Sequence, residues 1–209
     1  MTEHRLRTPF SEEDVMKLKI GDIVYLSGNA FTCRSRLHRA VFDEGEQLPF
    51  LLEDRNLLIH SGPVIKEEQG KFVAKSFGPT SSVRFEKWAE KSIAGWKLRA
   101  ILGKGTMGRQ AALAMARHRC VHICTMGIKS HETLRLKQVV VQGVHWKEKL
   151  GSIEAPWLVE LNEYGPFLVD IDTQGNNYFD YLDTKIAEKK ARVMRELGIS
   201  EDFSYTELY

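Results

Sequence analysis

Short apolar runs broken by glycine, proline and small polar residues recur along the chain. Ile23-Val24-Tyr25-Leu26 reads as a buried strand ending at Ser27-Gly28-Asn29. Leu57-Leu58-Ile59-His60 reads as a second, stopped by Ser61-Gly62-Pro63. Val64-Ile65-Lys66 and Phe72-Val73-Ala74-Lys75-Ser76 flank Glu67-Glu68-Gln69-Gly70, which predicts a hairpin. Further strands are predicted at Leu98–Leu102, Val121–Cys124, Val139–Val141, Trp157–Leu161 and Phe167–Ile171. Between them lie helical patterns: a short one after the cap Ser11, one from Thr80 or Ser81 to about Ile93, and an alanine-rich one from Gln110 to His118. Asp172–Asn177 is a turn cluster, and Asp183–Leu197 has helical spacing with Ile186, Val193, Met194 and Leu197 as apolar positions. Strand–loop–helix units recur, so the fold class is α/β.

A length of 209 residues suits one domain with extensions, and the apolar and charged fractions are those of a globular protein. Net charge is +2, with acids and bases interspersed, which argues against a nucleic-acid binder. No apolar run is long enough to span a membrane. Met1-Thr-Glu-His-Arg-Leu-Arg has no apolar signal core, so a cytoplasmic location is expected. Cys33, Cys120 and Cys124 make no disulfide framework. His118, Cys120, His122 and Cys124 share one face of a predicted strand, but its ends lie about 20 Å apart. One metal with ligand bonds of about 2 Å cannot gather all four, so no metal site is expected.

Candidate chemistry concentrates in three stretches. Gly78-Pro79-Thr80-Ser81 precedes Arg84; Thr32-Cys33-Arg34 precedes His38 and Arg39; Gly103-Lys104-Gly105 follows a predicted strand. Each offers a cation at a predicted helix start, where unpaired N–H groups and the dipole favour an anion. Arginine forks hold carboxylates well, so the conjunction points to a small molecule with more than one carboxylate. Gly103-Lys104-Gly105 lacks the spacing of a phosphate loop or a dinucleotide fingerprint. Taken singly, each stretch also reads as an ordinary capped helix, a solvated basic face or a geometric glycine turn.

Together and in order, these stretches are specific. With Leu26-Ser27-Gly28, His60-Ser61-Gly62-Pro63, Val144-His145-Trp146 and Phe167–Asp172 leading to Gly175-Asn176, the chain resembles the beta subunit, or C-terminal domain, of iron–sulfur class I fumarases and L(+)-tartrate dehydratases. The tartrate dehydratase type looks most similar, through Thr32-Cys33-Arg34 and the Gly165–Asn177 segment. The resemblance implies a swivelling β/β/α domain over residues 1–180 and a helical tail over 181–209. It implies a hydro-lyase in which Arg34, Arg84 and Lys104 bind the dicarboxylate and Thr80 removes the C–H proton, with His38, Gly78, Ser81, Gly103 and Gly105 in support. It also implies an alpha-subunit partner carrying a [4Fe–4S] cluster not ligated by this chain, in a heterodimer or heterotetramer. The sequence departs from the family pattern at Ser35, Ser81, Phe85-Glu86, Thr106 and above all residues 125–131. That loop and the charged tail motivate the alternative of a non-catalytic dicarboxylate- or partner-binding domain.

Overall fold

A computed structural model describes residues 1–125, 136–200 and 203. The departing loop, apart from Thr125, lies outside the described residues. The chain forms two compact units, Met1–Asn177 and Tyr178–Tyr209.

The first unit is built on a seven-stranded mixed sheet, in the order β1-β2-β3-β6-β7-β9-β8. Its strands are β1 (Glu3–Arg7), β2 (Ile23–Cys33), β3 (Leu57–His60), β6 (Ala100–Gly103), β7 (Val121–Thr125), β8 (Val139–Val144) and β9 (Trp157–Ile171). β2, β3, β6 and β7 run parallel, and β9 runs antiparallel to both β7 and β2, so the sheet closes on itself. A separate hairpin, β4 (Val64–Glu68) and β5 (Lys71–Ser76), turns at Gln69-Gly70, both with positive φ. The helices are α1 (Glu12–Met16), α2 (Ser35–Phe42), α3 (Ala89–Gly95), α4 (Arg109–His118) and α5 (Lys147–Leu150).

Alternation along the strands divides two apolar clusters. Leu57, Ile59, Ala100, Leu102, Val121 and Ile123 face one cluster with Val24, Tyr164 and Phe167. Leu58 and Ile101 face the other, with Phe31, Leu37, Ile93, Trp96, Ala111 and Met115 from β2 and the helices. α1 starts as the sequence predicts: Ser11 Oγ accepts from Asp14 N at 3.1 Å, and the Asp14 carboxylate accepts from Ser11 N at 3.1 Å.

Several boundaries differ from expectation. β2 does not end at Ser27-Gly28-Asn29 but bulges there and continues to Cys33. Gly28, at φ +90°, lets the chain pass Thr8 so closely that a Cβ would lie 2.5 Å from Thr8 Oγ1. Thr32 caps no helix; it lies buried in β2, where its Oγ1 accepts from Trp157 N at 2.9 Å. The two strands expected around Asn162–Pro166 are one strand, β9, whose register against β2 shifts between Leu26 and Gly28. His118 closes α4, and Arg119 takes the left-handed conformation at its C-cap, so His118 does not share a strand face with His122 and Cys124.

The second unit contains α6 (Tyr178–Glu196), which buries none of its residues. Tyr181, Ile186 and Val193 are exposed along it. No helix among the described residues is long and apolar enough to cross a membrane.

Candidate active site

The carboxyl ends of the parallel strands carry the predicted site residues. Arg34 follows β2, Ser61 follows β3 and Lys104 follows β6. In parallel α/β sheets such ends are where ligands bind. Between β3 and β6 the segment Gly78–Ser82 enters as an extra track. Thr80 N donates to His60 O at 2.5 Å, and Thr80 O accepts from Lys104 N at 3.1 Å. Ser82 N donates to Lys104 O at 3.1 Å, and Ser61 Oγ donates to Gly78 O at 2.8 Å. His60, Thr80 and Lys104 therefore lie on neighbouring tracks about 5 Å apart at backbone level, and Arg34 follows Cys33, the β2 partner of His60.

The three cations are in different states. Arg34 is half-buried, with its Nε 3.0 Å from Glu154 Oε1 and its Nη1 packed over Gly62, where a Cβ would lie 2.6 Å away. Glu154 is itself fixed by Arg36 N, which donates to Oε2 at 2.9 Å. Arg84 and Lys104 are exposed and form no ion pair among the described residues. Thr80 and Ser81 are partly exposed beside them. Lys104 is tied to Thr80 through the backbone, and Arg84 follows four residues later, so exposed positive charge and a hydroxyl lie in one stretch of the strand ends.

No α-helix starts at Thr80 or Ser81. Residues Ser82–Trp88 form a 3-10 segment, and Ser81, which precedes it, makes no side-chain cap. α-Helix begins only at Ala89. Arg34 stands at the N-cap of α2, but Lys104 precedes α4 by several residues. The N-terminus of α4 is already faced by an anion, since a Cβ at Gly108 would lie 2.4 Å from Glu86 Oε1. The site's charge comes from side chains, not from helix dipoles.

His38 is fully buried. Its ring stacks on Trp88 at 5.2 Å, and its Nδ1 lies 3.2 Å from both Cys33 Sγ and Arg34 O. Burial lowers its pKa to about 4, so at neutral pH it is a neutral ring supporting the Arg34 backbone. Gly103 is buried; Gly105, at φ +71°, is exposed and turns the chain after Lys104.

Sequence reasoning missed two sets of residues. One is Glu154, which holds Arg34 from a distant part of the chain. The other is a buried polar chain of Asp170, His122, Ser82 and His60. The unalternating His60 and His122 at positions otherwise occupied by core residues were the available signal. The three cysteines are buried, and burial pushes their thiols up, which does not suit them to ligate an iron–sulfur cluster as thiolates. A cleft of about 520 Å³ lies at the opposite strand ends, lined by Phe10, Asn56, Trp96 and Arg99, and contains none of the predicted site residues.

Fold and site together define a mixed α/β domain whose strand ends carry exposed cations and a partly exposed threonine. The chain belongs to the family described as Fumarase C-terminus, whose model matches residues 2–182. It is 30% identical to the L(+)-tartrate dehydratase subunit beta of Escherichia coli K12 over 193 residues, 92% of this chain and 94% of that protein. It is 32% identical to a putative L(+)-tartrate dehydratase subunit beta of Methanocaldococcus jannaschii, over 86% of this chain and 92% of that protein. A putative class I fumarate hydratase of Geobacillus stearothermophilus is 29% identical over 88% of this chain, but over only 35% of its own length.

Proposed function

We propose that this chain is the beta subunit of a hydro-lyase that reversibly adds or removes water on a dicarboxylate, either fumarate/malate or L-tartrate/oxaloacetate. The observation that carries this reading is the backbone-locked Thr80, bonded to Lys104 at the strand ends, with Lys104 and Arg84 exposed and without an ion pair among the described residues. Family membership and the beta-subunit relatives support it.

Arg34, pre-oriented by Glu154, and the free Arg84 and Lys104 hold the substrate carboxylates. Thr80 Oγ takes the proton from the carbon next to the leaving hydroxyl. A threonine hydroxyl is a weak base, and the surrounding cations stabilise its alkoxide. Gly78 and Ser81 shape the Thr80 segment, Gly103 and Gly105 that of Lys104, and His38 supports Arg34. The catalytic domain spans residues 1–180 and swivels against an alpha subunit that carries a [4Fe–4S] cluster; residues 181–209 are a tail. The assembly is a cytoplasmic heterodimer or heterotetramer.

The test is anaerobic purification through a tag on this chain from its native cells, followed by dehydratase assays with malate, L-tartrate and methylated relatives. Turnover of one of them with a co-purifying iron–sulfur chain is expected. Thr80→Ala should lower kcat by about a hundredfold or more, the scale of a lost general base. Thr80→Ala with near-normal kcat overturns the base assignment, and absence of both partner and turnover overturns the hydro-lyase reading.

A further inference from the structure

Asp170, His122, Ser82 and His60 come from β9, β7, the start of the 3-10 segment and the end of β3, and all are at most 1% exposed. Asp170 reaches His122 through a bulge: His122 pairs with Ile171 and Ile123 with Val169, leaving Asp170 as the extra residue. The Asp170 carboxylate accepts from His122 Nδ1, which lies 2.7 and 2.8 Å from its two oxygens. Ser82 Oγ is hydrogen-bonded to His122 Nε2 at 2.8 Å. Ser82 Oγ is also hydrogen-bonded to His60 Nδ1 at 2.9 Å. Burial, with His38 and His122 nearby, pushes His60 well below its ordinary pKa, so His60 is neutral and has one ring proton to give.

The first three groups stand in the order of a nucleophilic triad, but no acyl substrate can reach Ser82. Its hydroxyl is fully buried, His60 fills its other side, and Gly103 lies so close that a Cβ there would be 1.6 Å from Oγ. The output of the chain runs through the backbone instead. Ser82 N bonds Lys104 O, Lys104 N bonds Thr80 O, and Thr80 N bonds His60 O. With the His60–Ser82 side-chain link, these bonds close a ring that contains both Thr80 and Lys104.

We propose that Asp170, His122, Ser82 and His60 are positioning residues that hold Thr80 and Lys104 in register for the dicarboxylate site. The assignment of a site to Thr80 and Lys104 rests on the proposed function above. A buried carboxylate beside imidazole is no efficient way to add stability, because apolar residues of similar volume do as well or better. A fully satisfied polar chain does fix one geometry among several. Misplacement of reacting groups by about 1 Å costs about a hundredfold in rate, so fixing Thr80 has a kinetic consequence.

The test uses the tagged assembly with Ser82→Ala and Asp170→Asn. In Ser82→Ala, kcat should fall about tenfold or more and KM should rise several-fold, because Thr80 and Lys104 loosen together. A smaller folded fraction lowers kcat without moving KM, so the KM rise separates positioning from mere stability. Adding Asp170→Asn to Ser82→Ala should cost little further, as members of one unit do. Amide hydrogen exchange supplies a readout independent of turnover. Thr80, Ser82 and Lys104 should exchange at least about tenfold faster in Ser82→Ala, with Leu58 and Leu102 unchanged. If Ser82→Ala does not fold, Asp170→Asn, which keeps the side-chain shape, must show the same changes more weakly. A wild-type assembly without dehydratase activity, whose Thr80 and Lys104 amides lose protection in the variant, overturns the proposed reaction and keeps the positioning unit. Unaltered exchange, or unaltered kcat and KM in an active assembly, overturns the unit.

Discussion

Gly103→Ala tests the buried chain without removing any of its members. A Cβ at Gly103 would lie 1.6 Å from Ser82 Oγ, and 3.0 Å from both Ser82 Cβ and His122 Nε2. The first distance is impossible, so the Ser82 hydroxyl must swing out of its place between His60 and His122. That leaves two buried ring nitrogens without their partner, at about 1–3 kcal/mol each. Gly103 does not lie in the left-handed region, so alanine carries no backbone penalty and recovers about 0.5–1 kcal/mol of chain entropy. The net expectation is a loss of about 1–5 kcal/mol, centred near 3. In a Ser82→Ala background the 1.6 Å clash is gone and only the 3.0 Å contacts remain, which a shift of a few tenths of an ångström relieves. There Gly103→Ala should cost less than about 1 kcal/mol.

The assay is urea denaturation of the wild type, both single variants and the double variant, read as a double-mutant cycle with equal m-values. A coupling of at least about 1 kcal/mol is expected. Additivity within about 0.5 kcal/mol would refute the reasoning, since it would mean that the methyl at Gly103 and the hydroxyl of Ser82 do not compete for one place.

His38 gives a pH prediction: burial lowers its folded pKa to about 4 from the ordinary 6.5, so its stabilising contribution is complete above pH 6.5 and is lost as pH falls toward 4. The slope is about 1.4 kcal/mol per pH unit, about 3 kcal/mol in all, and His60 shifts in the same direction; urea midpoints that do not change between pH 7 and pH 5 would contradict it. Thr32→Val should destabilise by about 1–3 kcal/mol in thermal or urea unfolding, because Trp157 N loses its buried acceptor. Glu154→Gln should raise KM for the dicarboxylate several-fold with little change in folding stability, since Arg34 loses its orienting carboxylate; a lowered KM would show that Glu154 competes with substrate instead. Arg84→Lys should keep charge but lose the fork, and should raise KM by about tenfold in steady-state assays.

The strands were legible in the sequence where apolar runs were bounded by glycine or proline, as at Leu57–His60 and Val64–Ser76. Gly28 and Gly165-Pro166 misled because the same residues that make turns also make bulges, and only the pairing partner decides between them. β2 and β9 pair with each other, so both continue through their turn-like residues. The helix expected at Thr80 failed for a related reason. Thr80 and Ser82 give their backbone groups to His60 and Lys104, which leaves Ser81 with no helical turn to cap.

Within the site, the difference between what could and could not be read follows from distance along the chain. Thr80, Arg84 and Lys104 lie in short segments whose composition is itself unusual, so local reading singles them out as candidates. Glu154 is an ordinary surface-type acid until the fold brings it to Arg34, more than a hundred residues away. His122 and Asp170 were read as residues of two ordinary strands, and the first of them as part of a weak metal motif. Their meaning depends on a single extra residue in β9 that turns Asp170 toward His122. A bulge of that kind has no marker here, since Asp170 sits in a strand-like stretch, Phe167–Ile171, with no glycine or proline inside it. The residues predicted to touch substrate are thus local in sequence. The polar chain proposed to hold Thr80 and Lys104 in place is only partly local: Ser82 is adjacent in sequence, whereas Asp170 comes from β9, far from both.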